Sequence, residues 1–586
     1  MRLIPSYFCL LLLSVSLRAQ MTVALTPSVP PPVAEGTPVT WTATASGASP
    51  GTLVYRFRVW HNGQYSHTLI DYGPKNSITW TTIDEEGAYE MDVSAKNSAT
   101  GEVAGAAVQF MLTAITNGSA PAVNPSANPL VYIYTAPMCR EGRVQVAFKS
   151  TGGIAQTTAS KPCLPGHGIN FYLAGMLPGV SCTAQYILQN GSNIVTGSPI
   201  TFTPPASTVQ APALQHLTIG PVPAIDGILL QSLIDRSSVA TDLNGNIVWY
   251  APSDVWYLTR PVQGGTFMGI HEDNTTVPNQ QFFREFDLAG ITIAETNAVQ
   301  VNTQLAALGV HAINGFHHEA RKLPDGKYLV LADSERILTN VQGAGAVDVI
   351  GDTILVFNKD LQVVWSWDSF DHLDTSRQAP LGETCTQPNA GCSPWYLAAT
   401  ANDWTHGNAA QLTPDGNILF SMRNQDWVIK IDYANGNGAG DILWHLGNAG
   451  DFQIVSSDPS PWFSHQHDAN FAADNVTFTV FDDGNTRAAT NPAAHSRGQM
   501  LQINESGRVA TLVLNADVGS YSSAVGSAQI LSNGDYHFDS GFITDADGSL
   551  SAQSVEVNAS GTIVYGVGLA SLEYRSFRMS DLYTAP

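Results

Sequence analysis

From about residue 211 onward one outline recurs, and it constrains the fold more than any other feature. An apolar run is followed by Asp or Asn, a short turn usually containing Gly, and a strand that often ends in an aromatic. VATDLNGNIVWY (Val239–Tyr250), ILVFNKDLQVVWSW (Ile354–Trp367) and SVEVNASGTIVYG (Ser554–Gly566) share it. Seven residues separate Asp242 from Trp249, Asn358 from Trp365 and Asn558 from Tyr565. Phe283–Thr296 and Met500–Val513 keep the outline without the aromatic, and Ile429–Gly447 carries an insertion. Six copies of about four strands each predict a six-bladed β-propeller over residues 211–586, because radial repetition leaves only short, protected sheet edges. The aromatics then pack between blades. The C-terminal LEYRSFRMSDLY is expected to pair with the first blade and close the ring.

Upstream, alternating segments separated by turn residues predict two β-sandwich modules. VTWTATA, VYRFRVW, ITWTT and YEMDVSAKN mark an immunoglobulin-like module over residues 21–115. NPLVYIYTA, RVQVAFKS and TAQYILQNG mark a fibronectin-like one over 116–210. Neither holds a cluster of titratable residues, so both read as spacing or adhesive modules. The whole chain is thus expected to be all-β.

Residues 1–20 read as an export signal: Arg2, an apolar stretch Phe8–Val15 too short to span a bilayer, and Ala19 at a plausible cleavage point. This implies a periplasmic or extracellular destination, and no later segment is apolar enough for a membrane helix. A formal charge of −23 argues against nucleic acid or anionic membrane as a partner. With Cys9 in the signal, five cysteines remain. Cys385 and Cys392 bracket a short loop and are expected to pair. Two of Cys139, Cys163 and Cys182 form another candidate pair. No C-x-x-C spacing suggests metal ligation.

Aligning the repeats on their hairpin turns exposes the chemistry. His318 lies seven residues before Asp325, His467 seven before Asp474, and His406 nine before Asp415. Seven and nine differ by two, which predicts one strand face for all three. Innermost strands of adjacent blades would bring them to one mouth of an axial channel. Arg423, eight after Asp415, joins them, and Asp482, eight after Asp474, holds the matching place and could orient a histidine. By the same alternation His317 and Glu319 face away from His318, whereas His465 shares the face of His467. Imidazoles beside a permanent guanidinium suit an oxyanion better than a metal ion.

The segments HHEARKLPDGKYLVL, DWTHGNAAQLTPDGNILFSMRNQDWVIKID, ILWHLGN and QHDANF…FTVFDDGNTR resemble the bacterial arylsulfotransferase family that uses phenolic sulfate esters as donors. The resemblance covers roughly residues 120–586. It departs at Phe481-Asp482-Asp483-Gly484, where the family more often reads F-D-N-G. It implies a propeller enzyme that moves a sulfuryl group between phenols by a ping-pong route through a sulfo-histidine. His467, preferred to His465 because it follows Gln466, matches the nucleophile. His318, His406 and Arg423 match residues around the sulfuryl oxygens. Asn408, of the D-W-x-H-x-N opening, is assigned to substrate binding, as are Trp404, Trp462 and Phe463, which are placed to stack on the aryl ring or to pack.

The residues are compatible with that chemistry. Neutral imidazole is a competent nucleophile near neutral pH. Arg423 can offer paired N–H donors to two oxygens. No cofactor is expected: Gly326-Lys327 is followed by Tyr328, so no P-loop is present. Two other readings stand beside this one: a metal-dependent lyase or hydrolase using the same histidines, and a non-catalytic binding propeller.

Overall fold

The computed structural model describes residues 20–586 except 117, 119, 211–213, 218–226, 235, 272–280 and 388–396. The expected export signal therefore lies, apart from residue 20, outside the described residues. The chain is nearly all-β. Six antiparallel units of four strands follow one another through the repeat region, two standing as separate sheets and four extended by further strands. Sheet 1 comprises Glu573–Met579, Ile228–Leu233, Val239–Asp242 and Ile247–Tyr250. Sheet 2 comprises Tyr257–Val262, Thr266–His271, Phe282–Asp287 and Thr292–Asn297. Sheet 3 comprises Phe316–Lys322, Tyr328–Thr339, Ala346–Phe357 and Val363–Asp368. Sheet 4 comprises Gly407–Leu412, Ile418–Met422, Trp427–Ile431 and Ile442–Gly447. Sheet 5 comprises His467–Phe471, Thr477–Asp482, Arg497–Asn504 and Val509–Asp517. Sheet 6 comprises Gly526–Ile530, Tyr536–Thr544, Leu550–Val557 and Ile563–Leu569.

Each copy of the repeat is the outer hairpin of one sheet. Its Asp or Asn makes the turn by accepting from backbone N–H groups ahead of it. Asp242 accepts from Asn244 and Asn246, Asn358 from Asp360 and Gln362, and Asn558 from Ser560 and Thr562. A register shift follows in every one of these hairpins, the single extra residue of a β-bulge. The aromatics join neighbouring sheets. The indole N–H of Trp249 donates to the Leu288 carbonyl of sheet 2, that of Trp367 to Gly440 before the last strand of sheet 4, and the Tyr565 hydroxyl to Leu243 of sheet 1.

The leading strands of sheets 2 to 6 touch in sequence, and Glu573–Met579 touches those of both sheet 6 and sheet 2. This succession is compatible with the expected radial arrangement. The C-terminal strand pairs with Ile228–Leu233, as anticipated.

The upstream segments singled out in the sequence are strands, but they are not detached spacers. Gln64–Gly73 pairs in parallel with Thr292–Asn297 through Ile70 and Glu295, extending sheet 2 into the first module. One apolar cluster contains Val131 and Phe148 of the second module together with Trp249, Phe267 and Tyr583 of the repeat region. Cys139 and Cys163 form a disulfide, and Cys182 is a free, buried thiol. Cys385 is disulfide-bonded, and its expected partner Cys392 lies outside the described residues. No helix among the described residues is long and apolar enough to cross a membrane.

Candidate functional site

The leading strands of sheets 3, 4 and 5 each break register where the histidines sit: between Phe316 and Ala320, Gly407 and Ala409, and His467 and Asn470. His318, His406 and Asp468 have φ of 54°, 49° and 50°. Positive φ costs a side-chain-bearing residue about 1–3 kcal/mol, so surrounding bonds must hold it. The His318 N–H donates to the Tyr257 hydroxyl at 2.7 Å, and the His318 carbonyl accepts from Tyr574. The His406 carbonyl accepts from the Arg423 N–H at 3.1 Å.

These kinks correct the alternation argument. His317 does not point away from His318; their Nδ1 atoms lie 2.9 Å apart. The convergence itself holds. The His318 and His406 ring centroids are 4.9 Å apart, and those of His318 and His467 are 6.4 Å apart. Burial, then the charges of Arg423, His406 and Arg575, hold His467 well below the ordinary histidine range. His318 is likewise depressed by burial and by His406, His317 and His467. Both are therefore neutral at pH 7.

All three rings are gripped through Nδ1. His406 Nδ1 lies 2.7 Å from Asp403, and His467 Nδ1 lies 2.6 Å from Asp483 Oδ2. His467 Nε2 accepts the Val525 N–H at 3.2 Å, which fixes its proton on Nδ1 and its lone pair on Nε2. Asp483, not Asp482, thus orients the histidine. Asp482 is taken by Arg497, Arg487 and the Ser464 N–H. His467 pairs with Phe481, and Asp483 follows two residues on, just past the end of Thr477–Asp482. Burial pushes the Asp483 carboxyl well above its usual range.

Arg423 reaches the pocket with Nη1 on Asn424 and Nη2 on the Ser523 carbonyl, while its Nε has no hydrogen-bond partner among the described residues. Ser523 also lines a cavity of about 1080 Å³ with Tyr521, Phe542 and His495. His465 plays no part in that pocket. It is fully buried against Glu383 and Asp426, which outweigh burial and raise its pKa. The two histidines that alternation could not separate are thereby separated.

The expected aryl-binding residues are packing residues. Trp404 is buried, donates to the Arg377 carbonyl and stands against Phe370. Phe463 is buried against Phe478, with Trp462 packed beside it. Asn408 is fully buried and donates to the Gln466 carbonyl, so it ties sheet 4 to sheet 5. Glu319, expected to face away from His318, is buried with Arg260 and Arg575. Sequence reasoning also missed Tyr257, Val525 and Tyr574, because only the folded ring of contacts brings them to the histidines.

The fold and this cluster define a class: an all-β enzyme with convergent imidazoles and a guanidinium suited to a tetrahedral anion. The chain belongs to the arylsulfotransferase family, whose model, described as Arylsulfotransferase (ASST), matches residues 210–570, and it is an enzyme that transfers sulfuryl groups. No curated protein matches it. Among solved structures it is similar to a two-domain fibronectin type-III segment of chicken tenascin, at 15% identity, covering 30% of this chain and 95% of that one with a TM-score of 0.14. It is also similar to the chicken interferon gamma receptor alpha chain, at 10% identity, covering 32% and 99% with a TM-score of 0.12.

Proposed function

We propose that the protein transfers a sulfuryl group from a phenolic sulfate ester to a phenol by a ping-pong route through sulfo-His467, on a closed six-bladed propeller. The observation that carries this reading is the gathering of His318, His406 and His467, with the Arg423 charge acting on His467. His467 Nε2 attacks sulfur; the N–S bond forms, the S–O bond to the aryl group breaks, and phenolate leaves. In the second half, the acceptor phenol oxygen attacks sulfur, the N–S bond breaks, and the phenol proton passes to solvent or to a neighbouring imidazole. Asp483 holds the His467 Nδ1–H throughout. The Val525 N–H, already at Nε2, is placed to pass its hydrogen bond to a sulfuryl oxygen. Arg423 neutralises the same oxygens. The cavity beside Ser523 and Tyr521 seats the aryl ring, in place of Trp404 and Trp462.

The Cys139–Cys163 disulfide supports export to an oxidising compartment. The test is acceptor-dependent release of p-nitrophenol from p-nitrophenyl sulfate. His467→Ala is expected to abolish it, and unchanged release in that variant overturns the nucleophile assignment.

A further inference from the structure

Behind the His318 ring lies a second constellation, which the transfer chemistry does not use. His317, Asp333 and Asp352 bring one potential ligand atom each to within 4.8 Å of one another. Asp352 is fully buried, and its Oδ2 accepts from the Gly407 N–H at 2.8 Å and from the Thr405 hydroxyl. Those bonds lock the carboxylate with Oδ1 turned to His317 Nε2, 3.0 Å away. Yet Asp352 Oδ1 makes no hydrogen bond among the described residues. Asp333 Oδ1 stands 3.4 Å from the same nitrogen.

A buried carboxylate oxygen that accepts no hydrogen bond, 3.0 Å from an imidazole nitrogen and near a second carboxylate, is an arrangement that a cation completes. An ion with bonds of about 2.1 Å spaces adjacent ligands about 3.0–3.4 Å apart. We infer that His317 Nε2, Asp333 Oδ1 and Asp352 Oδ1 bind one divalent cation. One imidazole with two carboxylates suits Mn²⁺ or Zn²⁺ better than Ca²⁺, which prefers an all-oxygen shell. Asp333, with a fifth of its side chain exposed, gives the ion a way in. The Thr405 and Gly407 bonds to Asp352 are the outer support that metal ligands require.

The site is separate from the anion pocket but linked to it. A cation on His317 Nε2 leaves the ring proton on Nδ1, 2.9 Å from His318 Nδ1. His318 then accepts at Nδ1 and carries its own proton on Nε2, as a donor. The cation thus sets the tautomer of a pocket histidine.

The test is direct binding, read independently of sulfuryl transfer. The untagged full chain is stripped with chelator, then titrated with Mn²⁺ by electron paramagnetic resonance and with Zn²⁺ by calorimetry. One saturable ion per chain is expected, weakened at least about tenfold in Asp333→Asn and in Asp352→Asn. Binding in a control, His495→Gln, should be unchanged. Absence of a saturable site in the wild type, or a site unaffected in both variants, overturns the inference. Should Asp352→Asn fail to fold by circular dichroism, Asp333→Asn, at the less buried ligand, decides alone. Since no arm reads turnover, failure here and failure of the transfer mechanism are distinguishable.

Discussion

His467 meets two demands that usually conflict: it is sealed from water, yet it must present a lone pair. Burial and the nearby positive charges keep the ring neutral, while Asp483 and Val525 fix which nitrogen carries the lone pair. The depressed pKa sets the sign of the pH dependence. A histidine titrating at about 6.5 is only about one-tenth neutral at pH 5.5. His467, shifted in the acid direction by burial and the nearby positive charges, keeps a larger neutral fraction there, so the first-turnover burst of p-nitrophenol should fall from pH 7 to pH 5.5 by less than an ordinary histidine would give. A tenfold loss would show that His467 titrates normally. Asp483→Ala should slow that burst about 100-fold, the lower part of the range for a positioned proton-handling group, with KM little changed. Asp483→Asn keeps an acceptor for Nδ1–H and should retain more of the rate. Equal rates in wild type and Asp483→Ala would remove Asp483 from the mechanism.

At the scale of elements, what the sequence revealed and what it hid have separate physical causes. The outer hairpins were legible because Asp or Asn must satisfy turn N–H groups locally, at a fixed interval from the next strand. Replacing Asn358 by Ala removes two such bonds. It should lower the thermal midpoint by the equivalent of about 1 kcal/mol and leave transfer unchanged. The leading strands were less legible. Their histidines were found by counting back from the turns, and all three converge. Which neighbours share the pocket was misjudged, because the bulges cancel period-two alternation at His318 and beyond His467. The kinks depend on long-range partners such as Tyr257 and Tyr574, which no local pattern marks. At φ 54° glycine is unstrained and alanine is not. His318→Gly should therefore be about 1 kcal/mol more stable than His318→Ala, with both impaired in transfer. The reverse order would mean that the backbone strain at His318 is absent.

For the molecule as a whole, the C-terminal strand is both a structural partner and part of the site. Arg575 is buried between Glu319 and the Asn408 carbonyl, on the strand whose Tyr574 holds His318. Arg575→Met leaves Glu319 short of one partner and should cost about 3–5 kcal/mol, read as lost thermal stability. The first module covers the edge of sheet 2. Deleting residues 21–115 should lower the melting temperature of the remainder and promote association through the exposed strand. An unchanged, monomeric remainder would restore the reading of that module as a detachable spacer.

The central claim is that these separate sheets assemble one pocket in which His467 carries the sulfuryl group. Its most direct test is mass spectrometry of the protein incubated with p-nitrophenyl sulfate and no acceptor, digested under mildly alkaline conditions. The account predicts one added sulfuryl group on the peptide containing His467, discharged by added phenol and absent from His467→Ala. A modified residue elsewhere, or acceptor-dependent turnover with no sulfated enzyme, would contradict it.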